Sequence, residues 1–284
     1  MGIESLEKTD FDTLFRGYNL AFSDYPGARK SKEQLKVMLK RRGYNPELSF
    51  AMFDGGQILS FTLNGTGNFN GVPTVYDTGT ATLIEHRGKG FASRVLEYSL
   101  PFLKKANYTQ YLLEVLQHNE KALTIYKKTG FEVVRGFNYF VQKRDSVTNQ
   151  IKNLDHPYSI KEIVITQYNS IPDFWDFHPS WQNSLESIQR AVEGYLCLGA
   201  FAADKLVGYC VFFPASGDIA QIAVDRGYRR KGIGSLLFSE ILKLNKSESI
   251  KKINTDVLCE SITAFFKSKN MDITGKQFEM VRKL

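Results

Sequence analysis

Cysteine is scarce in this chain, and no long stretch of it is continuously apolar. The three cysteines, Cys197, Cys210 and Cys259, all fall in the second half and lack metal-ligand spacing. A disulfide framework and a zinc site are therefore not expected; buried free thiols and no metal are. No apolar run approaches the ~18 residues that a membrane helix needs. The opening residues carry Glu4, Glu7, Asp10 and Asp12 and no apolar segment of signal-peptide type. The expected location is the cytoplasm, with no membrane partner.

Charge of one sign does not dominate either. A net charge of +7 on 284 residues, most of it in the first half, is too small for a dedicated nucleic-acid binder. It suits a polyanionic cofactor. The densest basic cluster, from Arg29 to Arg42, puts Lys32, Lys36 and Lys40 on one face of an expected helix at i, i+4 spacing. A solvated face is the expected role, ahead of an anion site.

Against these absences stands ample material for two cores: 43% hydrophobic and 13% aromatic residues. The chain is about twice the commonest domain size, and it repeats itself. The segment Arg87-Gly88-Lys89-Gly90-Phe91-Ala92 is echoed half a chain length later by Arg229-Arg230-Lys231-Gly232-Ile233-Gly234. The first half predicts an amphipathic helix through Phe11, Leu14, Phe15, Tyr18 and Phe22, the basic helix from about Ser31, and strands turning at Asp54-Gly55-Gly56. A strand ending near Leu83 leads into the glycine turn. A helix over 92–105, a strand over 110–116, a helix over 120–129 and a strand after Phe131 follow. The second half predicts strands over 196–202, 206–213 and 219–224 before its own turn. The polar stretch from Arg144 to Tyr158 is the expected linker, with domains at 1–153 and 154–284.

Each glycine turn follows a strand and opens a helix, an arrangement in which backbone N–H groups converge on an anion. Phosphate is the expected ligand, with Arg87 and Lys89 adding charge. The nucleotide P-loop and the dinucleotide fingerprint are excluded, because neither turn has Gly-Lys followed by Ser or Thr, or the third glycine and downstream acid.

The pattern Arg-x-x-Gly-x-Ala at 87–92 and Arg-x-x-Gly-x-Gly at 229–234 resembles the coenzyme A pyrophosphate motif of the GNAT acetyltransferase superfamily. Leu113-Glu114-Val115, Asn119, Ala122, Tyr126, Gly130 and Phe131 resemble the second signature of that family, especially of ribosomal-protein alanine acetyltransferases, which act on protein N-terminal amines. The resemblance implies an α+β chain of two tandem GNAT-like domains, each a mixed, mostly antiparallel sheet flanked by helices. It implies acetyl-CoA as cofactor and direct transfer to a primary amine. Glu114 would be the general base, directly or through water, and Tyr126 the general acid. Thr82, Leu83, Arg87, Gly88, Lys89, Gly90, Phe91, Ala92, Ser93 and Asn119 would hold the cofactor. A possible second cofactor site comprises Val224, Arg229, Arg230, Lys231, Gly232, Ile233, Gly234 and Ser235.

The plainer roles stay open beside these: Glu114 as an outward strand residue, Tyr126 as a core aromatic, Asn119 as a helix cap. His118 is expected in a solvated loop. In the second half Phe266 replaces Tyr126 and Asp256 aligns loosely with Glu114, so catalysis is expected in the first half. The loop from His178 to Ser184 is expected to be a turn with Ser184 capping a helix, ahead of a ligand site. The acceptor, a protein N-terminus or a small amine, is not fixed. The alternative to an enzyme is a non-catalytic acyl-CoA-binding or regulatory protein.

Overall fold

Asp10 starts the first helix by accepting the Thr13 N–H at 2.9 Å. The helix that follows, α1 (Phe11–Ala21), buries Leu14, Gly17, Tyr18 and Ala21 on one face. Ser31 and Gln34 then close a capping box at the head of α2 (Lys32–Arg42), and Gly43, at φ 73°, ends it in the left-handed conformation. Lys32, Lys36 and Lys40 are exposed along α2, the solvated face expected. This computed structural model describes residues 1–25, 29–151 and 157–284. The expected domain boundary at residue 153 lies outside the described residues.

The chain divides into two compact units of the same plan. One comprises Met1–Arg135 together with Phe278–Leu284, the other Gly136–Gln277. In the first unit β1 (Gly2–Ser5), which the sequence reading did not anticipate, precedes α1 and pairs antiparallel with β2 (Phe50–Asp54). The turn at Gly55 and Gly56, both at positive φ, returns the chain as β3 (Gln57–Phe69), which pairs with β4 (Val72–Thr82). Next come α3 (Phe91–Lys105), β5 (Gln110–Leu116) and α4 (Glu120–Lys128). The strand beside β5 is the end of the chain's last strand, β12 (Ile273–Lys283), beyond β6 (Glu132–Lys143) in sequence.

The second unit runs in the order β6, β11, β10, β9, β8, β7 across its sheet. These strands are β7 (Ser159–Glu162), β8 (Leu196–Ala202), β9 (Lys205–Phe213), β10 (Asp218–Val224) and β11 (Ser249–Asp256). Its helices are α5 (Leu185–Arg190), α6 (Ile233–Leu244) and α7 (Glu260–Lys267). Ser184 caps α5 by accepting the Ser187 N–H at 3.1 Å, as expected. Short 3-10 turns and α5 stand in this unit where the first unit has α1 and α2. The three cysteines are buried and free. No helix among the described residues is long and apolar enough to cross a membrane.

Each of the two compact units takes in a strand from beyond its own stretch of sequence. Each borrows its closing strand, since Phe278–Leu284 belong to the first unit and most of β6 to the second. Met280, fully buried, packs in one cluster with Val75, Leu96, Tyr111 and Tyr126. Within the same unit Arg135 makes a bidentate ion pair with buried Glu279 at 2.7 and 2.8 Å.

Candidate active site

Two defects in the sheet of the first unit create its site. Leu63 pairs with Gly79 but Asn64 pairs with Asp77, so Thr78 is an extra residue, a β-bulge. Arg42, from the end of α2, donates to the Thr78 carbonyl at 2.6 Å and satisfies the group the bulge removes from the ladder. The second defect is short pairing. β4 and β5 are parallel partners from Thr74–Gln110 to Tyr76–Leu112 and no further. Beyond Tyr76 the bulge turns β4 away and the two strands part.

The candidate residues gather at this parting. Glu114, half-buried on β5, accepts a short hydrogen bond from the buried Tyr76 hydroxyl. Tyr126, buried on α4, reaches across to β4 and donates to Asp77 at 3.0 Å. Asp77 also accepts the Gly79 N–H at 2.9 Å and the Thr80 hydroxyl at 2.8 Å. Burial nevertheless pushes its pKa up to about 6. Burial, then the Asp77 charge, raises the Tyr126 phenol as well. The network continues through Thr80 to Thr62 at 2.6 Å, from Thr62 to Tyr111 at 3.3 Å, and from Tyr111 to Asn64 at 2.5 Å.

The sequence reading named Glu114 and Tyr126 and missed Asp77, Tyr76 and their neighbours. The signal was there in outline: Thr62 and Asn64 alternate with apolar residues on β3, and Asp77 interrupts β4. Polar side chains on strands buried on both faces need partners, and hence mark a network.

The glycine turn lies just after β4. Gly88 and Gly90 have φ of 78° and 75°, and Gly90 heads α3 with no side-chain cap bond. The backbone N–H groups of Phe91, Ala92 and Ser93, in the first helical turn, have no helical acceptor. They suit an anion. Leu83 is buried, and the Thr82 hydroxyl shares a 2.8 Å bond with Ser60. Lys89 is exposed, its Nζ 3.5 Å from His86 Nδ1. Arg87 departs from its expected role. Its guanidinium donates to the Thr82 carbonyl at 3.1 Å, to the Ala21 carbonyl at 2.8 Å and to both Asp24 oxygens at 2.6 and 2.8 Å. These bonds lash the turn to the end of α1, and the hydrogen bonds from Arg87 hold the Asp24 carboxyl below its usual range. Asn119 caps α4 by accepting the Ala122 N–H at 3.2 Å. His118 is exposed.

The family pattern described as the Acetyltransferase (GNAT) family matches residues 14–131 and, a second time, residues 158–264. The chain belongs to the GNAT acetyltransferase family. A search of curated proteins finds no match. Among solved structures, a tandem GNAT protein from the clavulanic acid biosynthesis pathway superposes with a TM-score of 0.75 at 14% identity, covering 99% of this chain and 98% of its own. A GCN5-related N-acetyltransferase from Sphaerobacter thermophilus gives 0.73 at 14% identity, with 99% and 95% covered. A putative acetyltransferase from Pyrococcus horikoshii gives 0.70 at 12% identity, with 100% and 89% covered. At these identities the likeness is one of fold. The protein is thus an α+β acyltransferase of two GNAT domains.

The second GNAT unit keeps the frame and changes the chemistry. Its bulge falls at Ala220, between the Ile219–Phe212 and Gln221–Val211 pairs, and β10 meets β11 at Asp218–Lys251 alone. The Ala220 carbonyl takes its hydrogen bond from Lys252, at 2.8 Å, as Thr78 does from Arg42. Arg229 repeats the Arg87 lashing, donating to the Val224 carbonyl at 3.0 Å and pairing with Asp176 at 3.0 Å. Gly232, at φ 86°, heads α6 without a side-chain cap. Arg230 occupies the position of Gly88 and has φ 65°. Lys231 lies over the Tyr228 ring at 5.1 Å, Ile233 is buried, and Ser235 accepts from Lys269 at 2.8 Å. A Cβ on Gly234 would come within 3.2 Å of the Phe265 ring, which would have to shift by a few tenths of an ångström to admit it.

Phe266 is fully buried against Phe140 and Phe238, a core residue. Cys259 stands where Asn119 caps α4, and makes no cap bond. The loose alignment of Asp256 with Glu114 does not hold. Matching the Asp218–Lys251 pair to Tyr76–Leu112 puts Ile253 at the Glu114 position. A register shift between Lys252 and Thr255, with Asn254 at φ 55°, then carries Asp256 to the end of β11.

Proposed function

We propose that this GNAT protein transfers an acetyl group from acetyl-CoA directly to a primary amine, with the reaction in the first unit. The observation that carries the reading is the hydrogen-bonded pair Tyr126–Asp77 across the opening between β4 and β5, with Glu114 held by Tyr76 on the opposite strand. The uncapped start of α3, at Gly90 to Ser93, fits the pyrophosphate of the cofactor, which would supply the thioester-activated acetyl group.

Glu114 is half-buried, with its carboxylate oriented by Tyr76, and can take a proton from the incoming ammonium directly or through water. Tyr126 donates to the departing sulfur. Its one proton points at Asp77 while that carboxylate is ionised; when Asp77 holds a proton, the direction of the bond reverses and the Tyr126 hydroxyl is released toward the sulfur. The pair therefore delivers a proton without leaving a buried phenolate.

CoA release with a panel of primary amines, including peptides with a free N-terminus, tests the proposal. Tyr126→Phe is expected to lower kcat on the order of 10²-fold or more, and Glu114→Gln to lower turnover comparably near neutral pH. Wild-type turnover in both variants would overturn the assignment of these residues. Tight binding of acetyl-CoA with no amine acetylated by the wild type would favour a non-catalytic binding protein.

A further inference from the structure

The second unit contains a cavity of about 560 Å³, within the range of small-molecule sites. One side of it is the glycine turn and the first turn of α6, from Gly232 to Ser235, with Cys259 and Phe265 of α7. Phe174, Trp175, Phe177, Pro179 and Tyr209, with Ala223 of β10, line the aromatic chamber of the same cavity. Space thus runs continuously from the cofactor turn, past the bulge at Ala220, to a set of aromatic rings.

Nothing in this chamber asks for a charged or strongly polar guest. Trp175 Nε1 donates to the Tyr209 hydroxyl at 2.7 Å, Tyr209 donates to Gln221 Oε1 at 2.7 Å, and Gln221 Nε2 donates to the Asn183 carbonyl at 2.6 Å. The polar atoms of Trp175 and Tyr209 are thus bonded within this chain of contacts. Asp176, the carboxylate among the lining residues, is paired with Arg229 at 3.0 Å and accepts from Ser261 at 3.1 Å. Lys252 donates to the Ala220 and Ile253 carbonyls, and Lys269 to Ser235 and the Gln150 carbonyl. The positions that carry Tyr126 and Glu114 in the first unit hold Phe266 and Ile253. Among the described residues that line the cavity, the one carboxylate is already paired and no base stands at the Glu114 position.

We infer that the second unit is a receptor site for an acyl-CoA with an apolar acyl group longer than acetyl, the glycine turn holding the cofactor and the aromatic chamber the acyl chain. The inference rests on the acyl-CoA reading of the turns. A two-carbon acyl group would leave the chamber unfilled, whereas each methylene buried there adds favourable transfer free energy. A site of this kind reads the thioester without consuming it.

Calorimetric titration of the full chain with CoA, acetyl-CoA and hexanoyl-CoA, without an amine acceptor, tests the inference. Hexanoyl-CoA is expected to bind one site at least ten times more tightly than acetyl-CoA. Ala223→Phe, which fills the chamber, is expected to bring the two within about threefold. Trp175→Ala, which removes one wall, provides a second variant and is expected to weaken hexanoyl-CoA about tenfold with little change for CoA. Equal binding of the two thioesters by the wild type would overturn the inference, as would a hexanoyl preference that survives both variants. CoA binding without acyl discrimination defeats this inference alone; failure of all three compounds to bind defeats the acyl-CoA reading itself.

Discussion

Asp77 is the residue on which the first site turns. A carboxyl whose pKa is raised on folding binds its proton more tightly in the native state than in the unfolded chain. Its contribution is therefore favourable at low pH, declines as pH rises from the unfolded value near 4, and levels off above about 6. Ionising it in place costs the fold about 3 kcal/mol at neutral pH. Asp77→Asn is thus expected to raise Tm at pH 7.5 and to have little effect at pH 4, measured by calorimetry at both. The same substitution addresses the proton path. The protonated Asp77 is the state that frees the Tyr126 hydroxyl, so wild-type kcat/KM is expected to carry a declining limb with a midpoint near pH 6. An asparagine amide donates to Tyr126 at any pH, so Asp77→Asn is expected to flatten that limb. A limb unchanged in the variant would assign it to another group. Sequence alone shows an acidic residue in a buried strand here. That it meets Tyr126, 49 positions away, is decided by the bulge and by the packing of α4.

At the scale of elements, the glycine turns divide their labour between backbone and side chains. In both units the motif arginine is a strut, bonded to the carbonyl that ends the preceding strand and to an aspartate, Asp24 or Asp176. The uncapped helix starts are the proposed anion sites. Holding a turn in place and charging it are different tasks, and the sequence motif does not distinguish them. The left-handed backbone just after the arginine is met by Gly88 in the first turn and by Arg230 in the second. A side chain in that region costs on the order of 1–2 kcal/mol. Arg230→Gly is expected to stabilise the second unit by about 0.5–1 kcal/mol, read as a higher denaturant midpoint with an unchanged slope. A lower midpoint would show that the arginine side chain contributes more than its backbone strain removes. The helices and strands were legible because their signals are local: the capping serine at 31, the glycines at 55 and 56, the spacing of Leu14 and Tyr18. The bulges at Thr78 and Ala220 left no such mark, because a bulge is a relation between two strands.

For the whole molecule, duplication explains the plan, and strand exchange explains why the units do not match the two halves of the sequence. The first unit depends on residues from the far end of the chain. Met280 packs beside Tyr126, Glu279 meets the Arg135 guanidinium, and Leu284 N–H donates to the Thr109 carbonyl at 3.0 Å. A chain ending at Gln277 is expected to lose the cooperative unfolding of the first unit, since it removes buried Met280 from the core and the bidentate Glu279 partner from Arg135. Calorimetry of the shortened chain would check this; an unshifted transition for residues 1–135 would refute it. By itself the sequence determined the tandem repeat, the order of helices and strands from Phe11 to Phe131, and the loss of the Tyr126 hydroxyl in the second copy. Those depend on spacing and identity along a single segment. Only the tertiary structure decided that Asp77 meets Tyr126, that Ile253 replaces Glu114, that aromatic side chains line the cavity of the second unit, and that each unit is closed by a borrowed strand. Each of these joins residues far apart in the chain, through strand register and side-chain packing that no local pattern encodes.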